Sequence, residues 1–477
     1  MISKNFFLFS LWIIFFINIL IYNLYEGCYS KNVLLCILLM AFYCFISFFF
    51  VRDTKTISSK KYRAVIFFMF GYFFVFYQRF VDLALGLISV DNPIFMSPQL
   101  VLKTIVLSTI GLVSLLLGYF MFGNRYSLFR HTVLKQYVYD LKLIRVLYLV
   151  SFSMYLCFNI TNILRGEYSQ ENLENTAGSI ANFTSTLMRV VYYVLLTLSV
   201  SNCIIKKNRK IICIIKEFGF VPLICLFVYC LLLLLSGSRS NVIIVLFSLG
   251  FSYFYIVNVR IKYKYMLLIL FCFASLMHFI GVARTLKNSS IEEKIYLVQN
   301  INSDSFIPTT VEYSSSLLTF TTSLNHVPTQ HDYLYGSFHL RNLISSVPFA
   351  GRLIPYFMDN NKKYHSSDFF ITNIIQGEDY TYGNGTSINA DLYLNYGFIG
   401  IVLGCFVLGF MYRNIDVLFF NYKYIKSNYL LLGLVFVGYS FIYSRNGYLS
   451  FLNTYLFALI ILSIFKKNIR KLTIVNS

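Results

Sequence analysis

The sequence predicts an all-α polytopic integral membrane protein with about twelve transmembrane helices and one large external loop. Long apolar stretches recur along the whole chain, and the segments between them alternate in charge. A stretch of about 18 or more apolar residues is long enough to cross the hydrocarbon core of a bilayer as a helix. The predicted spans lie near residues 6–24, 33–51, 64–81, 101–123, 143–164, 183–205, 218–236, 241–258, 264–283, 388–412, 428–445 and 447–465.

The charged residues orient these spans. With the N-terminus placed in the cytoplasm, the seven inside segments hold 26 of the 40 Lys and Arg residues but four of the 20 acidic residues. Cytoplasmic loops of membrane proteins carry such an excess of Lys and Arg. The pattern therefore predicts that both termini are cytoplasmic. It also argues against nucleic-acid binding, because the net charge of +20 is spread over many loops and forms no basic domain.

The first span and the cysteines are explained by the same architecture. Residues 1–24 contain an apolar run too long for a cleavable signal peptide, and no small-residue cleavage site follows it. Nine of the ten Cys residues lie in or beside predicted spans, where Cys acts as a small apolar residue. No Cys or His spacing is typical of a metal site, and we expect neither a metal nor a cofactor.

The longest external segment divides the chain into three parts. Residues 1–283 hold nine spans, residues 284–387 form the large loop, and residues 388–477 hold three spans and a short cytoplasmic tail. A long loop usually carries function, and this one holds four of the six His residues, at 326, 331, 339 and 365. Apolar stripes predict two amphipathic helices in it, which suit helices that lie on the membrane surface or cover a cavity. The stripes are Tyr313, Leu317, Phe320 and Leu324, and then Leu340, Leu343, Ile344 and Val347.

Five arginines lie on the external face, where the charge rule disfavours them. They are Arg239, Arg284, Arg341, Arg352 and Arg445. The guanidinium group offers donors in a planar fork that matches phosphate oxygens. Several converging arginines at the outer membrane interface would suit a lipid-linked pyrophosphate. The alternative for each one is a contact with a lipid headgroup or a backbone carbonyl.

The stretch 383–391 leads from the loop into the span at 388–412. Flexible glycines precede Thr386 and Ser387, which are good helix N-caps, and Asp391 follows in the first turn of the helix. A helix N-terminus attracts anions, so this is a second candidate binding position. The alternative is that Asp391 only stabilises the helix dipole.

These features together resemble the O-antigen polymerases (Wzy type) of the bacterial inner membrane. The resemblance rests on the layout of the spans, on the turn Gly237-Ser238-Arg239 and on the run from Gly385 to Gly400. Tyr335-Gly336, followed by Arg341 and Pro348, is also similar to the family. The layout covers the whole chain, whereas the motifs cover about a tenth of it.

The resemblance implies a membrane glycosyltransferase of the GT-C type that acts at the periplasmic face. The growing chain on undecaprenyl pyrophosphate would be the donor, and a new lipid-linked repeat unit would supply the acceptor hydroxyl. Membrane lipid and a chain-length regulator protein are the implied partners. We expect Asp391, His365 and Arg341 to be catalytic, with Glu378 and Asp379 as further candidates for the base. The expected pyrophosphate ligands are Arg239, Arg284, Arg352 and Arg445.

Two other functions remain open on the sequence. An O-antigen ligase has a similar layout and reaction but transfers the finished chain to a different acceptor. A repeat-unit flippase or another transporter also has about twelve spans, but it should contain intramembrane charges and internal repeats. Mid-span charges are few here, with Arg189 and Lys103 the clearest, and no repeat relates the two halves of the chain.

Overall fold

A computed structural model describes residues 2–24, 29–52, 63–121, 138–165, 176–206, 211–236, 238–257, 305–347, 350–359, 361–378, 383–420, 426–468 and 470–471. Before the large loop, the described residues form ten helices: α1 Lys4–Leu24, α2 Lys31–Phe50, α3 Ala64–Phe76, α4 Gln78–Ala84, α5 Pro98–Met121, α6 Lys142–Arg165, α7 Thr176–Ile205, α8 Ile211–Phe218, α9 Phe220–Leu235 and α10 Arg239–Val257. Two short strand pairs join chain segments, β1 Ile2–Ser3 with β2 Val51–Arg52 and β3 Val138–Tyr139 with β4 Arg470–Lys471.

Eight further helices lie in the described part of the loop and after it. They are α11 Val311–Ser314, α12 Leu317–His326, α13 Ser337–Ser345, α14 Ile354–Phe357, α15 Ser367–Gln376, α16 Ile388–Phe420, α17 Ser427–Ser440 and α18 Leu452–Asn468. Single 3-10 turns cover Pro93–Phe95, Pro308–Thr310, Ala350–Leu353, Lys362–Tyr364 and Tyr443–Arg445.

The all-α membrane architecture is confirmed, but the number of spans is not. Among the described residues, six helices are long and apolar enough to cross a membrane, namely α1, α2, α5, α6, α7 and α16. The count is eight if α3 with α4 and α8 with α9 each form one bent span. The helices α10, α17 and α18 are apolar but shorter. The predicted span 264–283 lies outside the described residues.

The predicted span 64–81 is bent, by 47°, where α3 meets α4. Polar side chains on α4 explain the bend, because they bond to the chain that enters the loop. Gln78 donates from Nε2 to the Ser305 hydroxyl at 3.1 Å, and Ser305 donates to Asp82 Oδ2 at 2.9 Å. Thr310 donates to Gln78 Oε1 at 2.6 Å. All four side chains are buried, so this cluster attaches the loop to the bundle.

The centre of the bundle is the contact between α5 and α16. Nearly every residue of α5 is buried, as expected for a helix that is apolar on all sides. A Cβ atom added at Gly118 would lie 2.0 Å from the Phe406 carbonyl oxygen, and one at Gly409 would lie 1.9 Å from that of Leu115. Small residues allow two helices to approach closely within a membrane. This contact fixes the part of α16 that follows a break in helical geometry at Gly397, where φ is +63°; Asp391 lies in the part before the break.

The two predicted loop helices differ in what they bury. On α12 the predicted stripe is buried, with Leu317, Phe320 and Leu324 packed against the bundle, so this helix covers it. On α13 the predicted stripe lies on the outside of the protein, so its apolar side stays available for the membrane surface, one of the two predicted placements. Leu340 and Leu343 are exposed, whereas the buried residues of α13 are Phe338, His339 and Arg341. The polar side of α13 therefore faces the protein.

Candidate active site

Asp391 is a buried acidic side chain that joins the loop to the bundle. It lies in the first turn of α16 and is 1% exposed. Its Oδ2 atom accepts a hydrogen bond from Nε2 of His339 at 2.9 Å and another from the backbone N–H of Tyr448 at 2.7 Å. A role limited to the helix dipole does not account for these bonds, because they come from two other segments of the chain.

His339 connects this carboxylate to a tyrosine. Its Nδ1 atom lies 3.3 Å from the hydroxyl of Tyr396, and its ring packs against the rings of Tyr396 and Tyr448, with centroids 5.3 and 5.7 Å away. A carboxylate that accepts from Nε2–H selects the tautomer in which Nδ1 is an acceptor. Asp391, His339 and Tyr396 therefore form one ordered chain of hydrogen bonds, which we call the Asp–His–Tyr chain.

A glycine just before α13 leaves space for the Tyr396 hydroxyl of the Asp–His–Tyr chain. Gly336 has φ of +83°, a conformation that residues with a side chain rarely adopt. A Cβ atom there would also lie 2.4 Å from the Tyr396 hydroxyl. Tyr396 itself is 45% exposed, so its ring leads from the buried His339 to the surface of the protein.

A second carboxyl group lies beside Asp391. A Cβ atom at Gly447 would be 3.6 Å from Asp391 Oδ2 and 3.9 Å from the Ser367 hydroxyl, which brings the start of α15 next to the site. The next residue, Asp368, is partly buried and accepts a hydrogen bond from the Ser366 hydroxyl. Burial raises the pKa of Asp368, the bond from Ser366 opposes this, and the charge of Asp391 adds to the rise in pKa.

Two of the predicted arginines meet on the short helix α11. Arg239 forms a two-pronged ion pair with Glu312, with Nη1 2.6 Å from Oε2. The guanidinium of Arg445 stacks over the ring of Tyr313, 5.5 Å from its centroid. Arg445 precedes Tyr448 by three residues, and three residues span at most about 10 Å. The backbone of Arg445 therefore lies within about 10 Å of Tyr448, whose N–H bonds to Asp391.

The other predicted site residues either make contacts away from Asp391 or lie outside the described residues. Arg341 is buried on α13 and donates to the backbone carbonyl of Asp359, while Arg352 is exposed. His365 packs its ring 6.2 Å from that of Phe369, and the histidine that pairs with Asp391 is His339. Glu378 is exposed. Arg284 and Asp379 lie outside the described residues.

Sequence reasoning missed His339, Tyr396 and Tyr448 as site residues. The available signals were weak, because His339 was one of four loop histidines and Tyr396 stood in a run noted only for its resemblance. No local spacing relates residue 339 to residue 391, which is 52 positions away. Among the described residues, no three His, Cys, Asp or Glu side chains are grouped as metal ligands.

The fold and site define a class of protein, a helical multi-pass membrane protein with a titratable site where an extramembrane loop covers the bundle. A family model gives the assignment within this class. The model for the O-antigen polysaccharide polymerase Wzy matches residues 3–471, so the chain belongs to this family. The protein is an O-antigen repeat-unit polymerase of polysaccharide biosynthesis and a multi-pass inner-membrane protein.

The family match does not favour the ligase or the flippase. Searches of curated proteins and of solved structures gave no match to the chain.

Proposed function

We propose that the polymerase uses His339, held by Asp391, to activate the acceptor hydroxyl, and uses arginines to bind the pyrophosphate of the donor. The bond of 2.9 Å between His339 and Asp391 carries this proposal. A histidine oriented by a buried carboxylate is a recurrent general base, because the carboxylate stabilises the imidazolium that forms. The bond joins the loop to the bundle, so the base is complete only in the folded protein.

The proton leaves the acceptor through Tyr396. The Tyr396 hydroxyl lies at Nδ1 of His339 and its ring reaches the surface, so it takes the proton of a sugar hydroxyl while giving its own to Nδ1. The acceptor oxygen then bonds to the anomeric carbon of the growing chain. The bond from that carbon to the pyrophosphate breaks, and the lipid pyrophosphate leaves with the electron pair. His339 returns its proton to solvent or to the leaving group.

Positive charge is needed where the pyrophosphate departs, since negative charge builds there in the transition state. Arg239 and Arg445 suit this role because both contact α11, and the backbone of Arg445 lies within about 10 Å of Tyr448. Glu312 occupies the fork of Arg239, and an arriving pyrophosphate would replace this carboxylate. Arg284 and Arg352 remain further proposed ligands, and Arg341 is proposed to order the loop by holding the Asp359 carbonyl.

The wider assignment follows from the family and the layout. We propose undecaprenyl pyrophosphate as the lipid of both substrates, a GT-C-type arrangement of the bundle and loop, and a periplasmic position for the site with both termini in the cytoplasm. A chain-length regulator is the proposed protein partner. The excess of Lys and Arg in the predicted inside segments supports the orientation.

Substitution of the buried pair tests the mechanism. Purified Asp391→Asn and His339→Gln variants, assayed with a lipid-linked repeat unit, should each form polymer about a hundredfold or more slowly at normal abundance. The double variant should be little slower than either single variant, because the two residues act as a unit. The matched control is His326→Gln, a loop histidine whose Nδ1 lies at the Thr322 carbonyl, and it should stay near the wild-type rate. Near-wild-type polymer from either single variant would remove the pair from the mechanism.

A further inference from the structure

One cation inside the bundle has no counterion among the described residues. Arg189 lies on α7, and its single hydrogen bond runs from Nη1 to the hydroxyl of Tyr439 at 3.3 Å. Its Nε atom is buried and has no hydrogen-bond partner. Tyr439 in turn shares a hydrogen bond of 3.1 Å with the hydroxyl of Thr454 on α18. Arg189 is therefore surrounded by neutral groups.

A charge in this position is costly. The apolar part of α7 extends over Ile180–Ile205, and Arg189 is nine residues inside it, about 14 Å along the helix axis. An arginine stays protonated at any physiological pH. Unpaired charges inside a membrane span cost several kcal/mol by order of magnitude and commonly mark functional sites. Tyrosine hydroxyls can solvate the guanidinium but cannot neutralise it.

Hydrogen bonds connect Arg189 to the helix end that leads to the proposed site. Its partner Tyr439 is the penultimate residue of α17, and the turn that follows carries Arg445. Tyr313 of the loop donates to the carbonyl of Phe441, at the same end of α17, over 3.1 Å. Arg189 is thus connected through Tyr439 to the end of α17 that the loop contacts.

We propose that the partly exposed guanidinium group of Arg189 binds the phosphate group of a lipid anion. This inference rests on the proposed function, since a polymerase must hold two lipid-linked substrates and the Arg239–Arg445 pair provides for one pyrophosphate. Phosphate could come from a polyprenyl pyrophosphate or from a phospholipid headgroup. Both offer the oxygens that a guanidinium fork binds.

Thermal unfolding in detergent tests the proposal with two probes, undecaprenyl pyrophosphate and phosphatidylglycerol. A ligand that binds the folded protein raises its Tm. In Arg189→Gln we expect the dissociation constant of the probe to rise about tenfold or more, because a charge-assisted hydrogen bond is lost. The Tm without ligand should be equal or higher, since an unpaired charge is removed. An unchanged dissociation constant for both probes would overturn the proposal.

Further variants keep the result interpretable. Lys103→Gln is the control: it removes another basic side chain from an apolar helix and should leave probe binding unchanged. If Arg189→Gln does not fold, Arg189→Lys can be tested instead, because it keeps the charge but lacks the planar guanidinium. It should bind the probe more weakly than the wild type. Binding as tight as that of the wild type would count against the proposal. Selectivity for undecaprenyl pyrophosphate identifies a substrate site, and equal response to phosphatidylglycerol identifies a headgroup site. Asp391→Asn should bind the probe normally while polymerising slowly, so the two proposals can fail separately.

Discussion

At the residue scale, two carboxyl groups beneath the loop differ in their surroundings. Asp391 accepts bonds from a histidine and a backbone N–H. Asp368 receives its side-chain bond from Ser366, and burial raises its pKa. A pKa that is higher in the folded than in the unfolded protein means that folding favours the protonated form. Ionised Asp368 is therefore a source of instability at neutral pH.

Replacing the Asp368 carboxyl should change the Tm by an amount that depends on pH. At pH 7, Asp368→Asn should unfold at a Tm equal to or higher than that of the wild type, because the neutral amide avoids the cost of burying a charge. The advantage should disappear as pH falls below about 4, where both states of the wild type are protonated. A lower Tm for Asp368→Asn at pH 7 would contradict the assignment.

The same residues show which parts of the site the sequence could predict. Asp391 stood out because it follows a cap sequence at a helix start, which is a local pattern. Its partner His339 depends on how α13 packs against the bundle, and the apolar stripe of that helix left open whether it faces the membrane surface or a cavity. His339 and Arg341 are buried while Leu340 and Leu343 face outward. Local periodicity cannot predict this, because in a membrane protein the apolar side can face lipid.

At the scale of elements, the crossing of α5 and α16 depends on two glycines. Gly409→Leu would insert a side chain where even a Cβ atom lies 1.9 Å from the Leu115 carbonyl. We expect the helices to separate, with a lower Tm, less folded protein in the membrane and loss of polymer. Gly250→Ala on α10 is the matched control, because nothing lies within 4 Å of its added Cβ atom. It should be neutral or slightly stabilising. Similar Tm values for Gly409→Leu and wild type would refute the close contact.

Apolar length predicted most of these elements, and polar contacts between distant segments account for the exceptions. Span 64–81 was apolar enough to expect a straight helix, apart from Gln78 and Arg79. The structure bends it by 47° so that Gln78 and Asp82 can bond to the start of the loop. The bond between Ser305 and Asp82 joins positions 223 residues apart, a pairing that no local pattern contains.

At the scale of the whole molecule, charge asymmetry predicts the orientation in the membrane. In a chain otherwise free of cysteine, Asp332→Cys in the loop should react with an impermeant thiol reagent on intact spheroplasts. Ser3→Cys near the N-terminus should react only after permeabilisation. Both positions are exposed in the folded protein, so accessibility to the reagent reports the side of the membrane. The reverse labelling pattern would invert the topology, and labelling of both in intact spheroplasts would require an even number of spans between them.

The backbone bond from Tyr448 to Asp391 also bears on how the protein is made. Asp391 is synthesised 57 residues before Tyr448. Ribosomes add about 5–20 residues per second, so for about three to eleven seconds a nascent chain carries the aspartate without this donor. Earlier helices can insert in the membrane during that interval. We therefore expect chains released from the ribosome before Tyr448 is made to be inactive, because their Asp391 lacks this hydrogen bond.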